Sequence, residues 1–281
     1  MSDRSVIEWC DASWNPVTGC DRVSPGCAHC YALELAPRLR AMGVAKYAGT
    51  RDGGRASGPA FGVTLHPGEL DRPRRWRRPR RIFVNSMSDL FHAEIPFEFV
   101  DLVFATMAAC PWHTFQVLTK RPERMLAYCE QRYEELAGEP DALGAVAPVP
   151  WPNVWLGVSV ESRRWAWRAD VLRDVPAAVR FISAEPLLGS LTDLDLTAVD
   201  WLIAGGESGS GHRPVRPEWV RELRDMALGA SVAFFFKQWG GRTPAAAGRL
   251  LDGREWAQFP SALDAAPAPE IPTDPQRRCT L

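Results

Sequence analysis

Six short apolar runs, each followed by an abrupt polar cluster, constrain this chain more than any other feature. They lie at residues 82–84, 114–118, 154–158, 179–182, 201–204 and 232–236. Their β-branched and aromatic content reads as buried strands of a parallel sheet. Helical patterns fall between several of them, at 97–110, 122–136, 162–172 and 217–228. The last is the clearest, with Pro217 in the first turn and Gly229 past the end. Strand–helix alternation of this kind builds right-handed βαβ units. With a short first strand near residues 14–17, the count reaches about seven. The expected fold is α/β, a partial or full (β/α) TIM-type barrel. A doubly wound sheet is the alternative.

The 281 residues suffice for one large domain, expected over 1–260. Residues 261–281 are Pro/Ala-rich and are expected to form a poorly ordered tail. A Gly/Pro/Arg-rich insertion after the first helix, 43–79, interrupts the rhythm and carries a short strand at Phe61–Leu65. An Ala/Pro loop covers 138–152. No run approaches the ~18–20 apolar residues of a membrane span, and the N-terminus has no signal-peptide apolar region. The expectation is therefore a cytoplasmic protein with no membrane partner. Seven cysteines, an odd number, fit reduced thiols and metal ligation better than a disulfide framework. A net charge of −1 provides no global basic field. The 12 tryptophans point to core filling and stacking surfaces.

Cys20, Cys27 and Cys30 stand in a C-x6-C-x2-C loop, with Tyr31 directly after them at the start of a helical stretch. Three thiolates on one loop can hold three corners of an iron–sulfur cube and leave the fourth iron open for chemistry. Structural zinc is the other reading, with Cys10 as a fourth ligand. His29 sits between two of the cysteines, which is awkward for tetrahedral closure by all four. A disulfide pair would require an oxidising compartment.

Ligands of a parallel barrel bind at the C-terminal strand ends, and those ends are rich in functional side chains here. They carry Asn85, Ser86 and Asp89; Lys120 and Arg121; Ser159 and Glu161; Ser183 and Glu185; Gly205, Gly206 and Glu207; and Lys237 with Gln238. Asp89, Ser159 and Ser162 could equally be helix N-caps. Glu161, Glu185 and Glu207 are expected to face one cavity, with Lys120 and Lys237 neutralising them. Gly205 and Gly206 would let the backbone approach a ligand, or simply form a turn. There is no dinucleotide fingerprint, no P-loop and no H-E-x-x-H, which weakens the NAD, ATP and zinc-protease readings. The run from Arg72 to Arg81, with Trp76 inside it, could hold phosphates beside a stacking aromatic. A solvated connector is the plain reading.

The blocks Trp14-Asn15-Pro16-Val17-Thr18-Gly19-Cys20, Cys27 with Cys30-Tyr31-Ala32, Asn85-Ser86-Met87-Ser88-Asp89, Leu118-Thr119-Lys120-Arg121-Pro122, Ile182-Ser183-Ala184-Glu185-Pro186, Gly205-Gly206-Glu207-Ser208-Gly209 and Phe235-Phe236-Lys237-Gln238-Trp239-Gly240 together resemble a family. It is the phage and bacterial three-cysteine-motif family of unknown function (phage gp-type), which is considered radical-SAM-like. The resemblance covers the chain up to about Gly241. The loop departs from the common radical-SAM spacing C-x3-C-x2-C by being longer.

The resemblance does not itself supply a reaction; joined to the cysteine spacing, it leads to the expectation of an enzyme with a [4Fe-4S] cluster on Cys20, Cys27 and Cys30. S-adenosylmethionine would chelate the open iron and be cleaved reductively to a 5′-deoxyadenosyl radical, the cofactors carrying the chemistry. On strand-end position, Asn85, Ser86 and Asp89 are assigned to the methionine ammonium, and Ser159, Glu161 and Glu185 to the ribose or carboxylate. Gly205, Gly206 and Glu207 would shape the adenine or substrate side. Lys120, Arg121 and Lys237 suit an anionic substrate, a nucleic acid or nucleotide; a protein partner encoded nearby could complete the site. The alternative is a zinc-binding nucleic-acid-binding module without catalysis. A third reading is a hydrolase with Glu185 and Glu207 as acid and base.

Overall fold

The computed structural model describes residue 5 and residues 7–48, 61–138 and 150–261. All but Ser261 of the tail expected over 261–281, and most of the 138–152 loop, lie outside the described residues.

Seven parallel strands form one open sheet in chain order: β1 (Ala12–Trp14), β4 (Arg81–Val84), β5 (Thr114–Thr119), β6 (Val154–Ser159), β7 (Val179–Ala184), β8 (Trp201–Gly205) and β9 (Ala233–Gln238). Strands that add sequentially on one side make a barrel wall, in contrast to the reversed order of a doubly wound sheet. Among the described residues β1 and β9 do not pair, so the barrel is partial. Helices α2 (Phe97–Ala108), α3 (Pro122–Gly138), α4 (Trp167–Asp174) and α5 (Pro217–Gly229) alternate with the strands. Between β7 and β8 no helix forms; Leu187, Leu191, Leu194, Leu196 and Val199 bury an irregular crossover instead.

Two boundaries differ from the expectation. The first strand is not continuous over 14–17. Pro16, which has no N–H to give a ladder, separates β1 from β2 (Val17–Cys20). β2 pairs antiparallel with β3 (Phe61–Leu65) in a separate two-stranded sheet. The helix expected from 162 begins later, at Trp167, after a single 3-10 turn at Arg163–Trp165. Ser162 precedes that turn, but its side chain makes no capping hydrogen bond. No helix of the described residues is long and apolar enough to cross a membrane.

Period-two alternation sorts the strand residues into two cores. Ile82, Val84, Phe115, Val117, Leu156, Val158, Ile182, Leu202, Ala204, Phe234 and Phe236 pack outward in the helix-side core. The concave face carries Phe83, Trp155, Phe181, Trp201, Ile203 and Phe235, closed by Trp9 and Cys10 from the N-terminal segment. Trp9 stacks edge-on against Phe83 at 4.7 Å and Trp201 at 6.1 Å. Tryptophan thus fills the interior of a half-barrel, where smaller side chains would leave a void. Two residues further along each strand, the same face turns polar. Asn85 follows Phe83, Lys120 follows Leu118, Ser183 and Glu185 follow Phe181, and Lys237 follows Phe235. The mouth of the barrel is therefore chemical and its base inert.

Candidate functional site

A cavity of about 420 Å³ opens at the C-terminal strand ends. Its floor includes Trp9, Phe83 and Leu118, and its walls carry Asn85, Lys120, Ser159, Ser183, Glu185 and Lys237. The lid over it is the cysteine loop, leading into α1 (Tyr31–Ala41). Cys20, Cys27 and Cys30 all line the cavity. The other described cysteines, Cys10, Cys110 and Cys129, are buried and do not. The lining therefore holds three cysteines, and Cys10 is not positioned as a fourth ligand there. Burial pushes the Cys20 thiol up to about 12, with Arg121 acting in the opposite sense, and burial also raises Cys30. Burial favours the protonated thiol at both, and binding of a metal as thiolates releases those protons.

The strand-end residues fall into two groups. One group grips the loop. Glu161 is fully buried and is absent from the cavity lining. It accepts a short hydrogen bond from the Ser24 hydroxyl, pairs with Arg168 Nη1 at 3.1 Å, and faces Lys120 Nζ at 3.9 Å. Arg168 is equally buried; burial lowers its pKa and Glu161 offsets that only in part. Glu207 forms a two-pronged pair with Arg213, which also donates to the Pro25 carbonyl at 2.9 Å. Asp89 receives four donors: Phe91 N–H at 3.0 Å, Thr119 Oγ1 at 2.7 Å, Lys120 N–H at 3.1 Å and Arg121 Nη1 at 2.8 Å. It thus caps its own turn and also ties β5 and Arg121 to it. Arg121 then reaches Cys20 Sγ at 3.7 Å and the Asp21 carbonyl at 3.5 Å. Each of the three carboxylates is occupied by an arginine, and all three arrangements hold the loop between Cys20 and Cys27 against the barrel mouth.

Gly26 marks how closely the loop is pressed down. A Cβ there would lie 2.5 Å from Glu161 Cγ and Oε1, atoms that Arg168 and Ser24 fix in place. Gly26→Ala should cost about 1–3 kcal/mol by overpacking, seen as a lowered melting temperature and faster proteolysis within the loop. Equal melting and equal cleavage would show that the loop is free to lift.

The second group faces the cavity without gripping the loop; Asp89, Arg121 and Glu207 of the first group also line it. Lys237 and Glu185 form a short ion pair within it. Ser159 and Ser183 lie in register on β6 and β7. Asn85 adopts φ 60°, and its side-chain oxygen accepts from Val17 N–H at 3.3 Å. Its amide nitrogen is buried with no partner, an unmet donor beside the cavity. Ser86 shares hydrogen bonds with Asn15, and its carbonyl takes the Tyr31 hydroxyl. Gly206 lines the cavity and Gly205 does not. A Cβ on Gly206 would meet the Trp239 carbonyl at 2.0 Å, so internal packing requires that glycine. The sequence places Ser183 at a strand end, on the face of Glu185 by period two, but gives it no role there, and nothing in it marks Trp9, Tyr31 or Arg213 as lining or holding the site. Only folding brings Arg213 back to Glu207 and Pro25.

Glu207 is the titratable member of the grip. Burial alone would raise its carboxyl, but hydrogen bonds and charge from Arg213 outweigh that and hold it below the usual range. A depressed folded pKa contributes stability above the unfolded value, and that contribution is lost as pH falls through the folded value. Loop protection, followed by hydrogen exchange around Pro25–Cys27, should be constant at neutral pH and fall only in acid below the ordinary carboxylate range. A loss centred near neutrality would exclude Glu207 as its cause.

Asp21, His92 and Glu94 bring three potential metal-ligand atoms within 4.8 Å of one another, a group that the three cysteine sulfurs do not form. His92 Nδ1 accepts from Glu94 N–H at 3.1 Å, which leaves Nε2 to donate to Asp21 at 3.0 Å. Both ring nitrogens are used, and the group is a further clasp on the loop. The hydrolase reading loses its pair in the same way, since Glu207 is held by Arg213 and Glu185 by Lys237.

A family model described as protein of unknown function (DUF5131) matches residues 4–260. The chain belongs to that family. No curated protein matches it. Among solved structures, it is similar to a mutant spore photoproduct lyase, with 13% identity and a TM-score of 0.42 over 81% of this chain. The match spans 62% of the lyase chain.

Proposed function

We propose that this DUF5131 protein is a radical-SAM-like enzyme holding a [4Fe-4S] cluster on Cys20, Cys27 and Cys30. One observation carries the reading: among the described residues three cysteines, and no fourth, line one cavity at the mouth of a parallel half-barrel. Three soft thiolate ligands suit an iron–sulfur cluster with one open iron. A closed zinc site would bring its sulfurs to about 3.8 Å from one another, given Zn–S bonds of about 2.3 Å. The cysteine sulfurs here are spread more widely than the 4.8 Å group described above. When bound, the cluster supplies one electron for reductive cleavage of a sulfonium such as that of S-adenosylmethionine.

The chain's own residues would divide the remaining work. Asn85 offers its unmet amide donor to the cofactor's carboxylate or amino-acid end. Ser159 and Ser183 present hydroxyls to the wall of the cavity, and Glu185 can accept from an ammonium or ribose hydroxyl. Lys237 would meet an anionic group by exchanging its pairing with Glu185. Lys120 stands beside Glu161, at the edge of the same space. Arg121 and Asp89, engaged with each other, would position the Cys20 end of the loop in place of touching substrate. The substrate class supported best is a small anion or a nucleotide-like group.

The test is anaerobic reconstitution with iron and sulfide, followed by a count of both. About four irons and four sulfides per chain, lost when all three cysteines become Ala, is the expected result. One tightly held zinc without sulfide would sink the proposal and favour the zinc-binding module.

A further inference from the structure

We infer that the arginine-rich connector leading into β4 is a docking surface for the phosphate backbone of duplex nucleic acid, separate from the cavity. Seven of the ten residues from 72 to 81 are arginine, in a chain whose net charge is −1. The cluster is therefore a local feature, not a consequence of basic composition. Three of the seven are occupied: Arg72 pairs with Glu69 at 3.2 Å, Arg81 pairs with Asp11 at 3.3 Å, and Arg80 lies 5.0 Å over the Trp76 ring. The other four, Arg74, Arg75, Arg77 and Arg78, are exposed. They make no ion pair with any described residue. Leaving four like charges together and unneutralised is unfavourable unless an anion answers them.

Trp76 decides how that anion is read. Its ring is only 6% exposed and packs into the helix-side core. Arg72 and Arg80 cover it, at 5.7 Å and 5.0 Å. The tryptophan anchors the connector and offers no platform for a base. Without Trp76 as a stacking face, a single strand loses the source of affinity that the sequence of this connector offered it. Planar guanidinium forks still match phosphate oxygens, and charge density along duplex DNA is higher than along one strand. Pro73 and Pro79 limit the backbone freedom of the segment, so the arginines are presented on a stiff turn.

Position separates this surface from the chemistry. Arg81 starts β4 and Asn85 follows its end, so the connector lies at the base of the barrel, about 13 Å of strand from the mouth. The inference does not depend on which metal the cysteines hold.

The experiment measures fluorescence anisotropy of a labelled mixed-sequence DNA duplex, and of one of its strands alone, across a salt series. With four phosphate contacts, log K should fall against log salt with a slope of about −3.6, roughly a twelvefold loss per doubling of salt. Changing Arg74, Arg75, Arg77 and Arg78 together to Gln should remove most of that slope and weaken binding at least tenfold, with the melting temperature unchanged. Should the quadruple variant melt early, the Arg77→Gln, Arg78→Gln double variant should lose about half of the slope. No duplex binding by the parent chain, equal binding by the variants, tighter binding of the single strand, or polyglutamate binding as tight as duplex would each overturn the inference.

Discussion

Replacing Glu161 with Ala should destabilise the chain by about 3–5 kcal/mol, the cost of stranding one member of a buried ion pair. Its partner Arg168 is 1% exposed and Glu161 is fully buried, so water cannot substitute for the lost carboxylate. Arg168 would keep the Ser159 carbonyl at 2.9 Å and the rings of Trp165 at 4.3 Å and Trp167 at 5.9 Å, none of which carries a charge. At this chain length the loss corresponds to a fall in melting temperature of about 10 °C. Removing both charges, with Glu161 and Arg168 changed to Leu, should recover most of the stability, since a buried pair is often no better than apolar packing. What it should not recover is the loop. Ser24 loses its acceptor in both variants, and proteolysis between Cys20 and Cys27 should rise in both. If the double Leu variant protected the loop as well as the parent, Glu161 would be a core residue only.

Asp89→Ala should be of similar size, about 3–5 kcal/mol, because it orphans four donors at once. Asp89→Asn separates two roles for the residue. The amide oxygen can still serve Phe91 N–H and Thr119, while Lys120 N–H and Arg121 face a donor in place of an acceptor. Arg121 then loses its anchor and, with it, the contact to Cys20. The expected result is a moderate loss of stability together with weaker cluster retention on the cysteine loop. A variant with parent stability and parent iron content that failed only to bind S-adenosylmethionine would instead return Asp89 to the cofactor, as its strand-end position first implied.

The strand ends show how far position in the sequence carries. All of the candidate acids were identifiable as residues following apolar runs, and the alternation of a strand fixes which face each one takes. Position alone, however, assigned Asp89, Glu161 and Glu207 to ligand contact on the same footing as Glu185. Glu161 is buried against Arg168 outside the cavity lining, whereas Asp89 and Glu207 pair with Arg121 and Arg213 and still line the cavity, as Glu185 does beside Lys237. Arg121 and Arg168 are near in sequence to the strands they serve, but arginine is common here and nothing local marks those two among the rest. Trp76 illustrates the same limit. Embedded among arginines it reads as an exposed stacking surface, yet its apolar ring is worth more in the core than in water.

The sequence by itself determined the parallel α/β alternation with about seven strands, the polar strand ends and the spacing of three cysteines; strand order in the folded sheet decided for a partial barrel over a doubly wound sheet. The first three features follow from local periodicity and from chain order, which short-range patterns encode directly. Only the tertiary structure decided which charges are spent on one another and which remain to meet a ligand. That choice depends on contacts between residues far apart in the chain, such as Ser24 with Glu161 and Pro25 with Arg213. Burial then makes each such pairing expensive to break, so the grip on the cysteine loop is a property of the folded barrel and not of any segment within it.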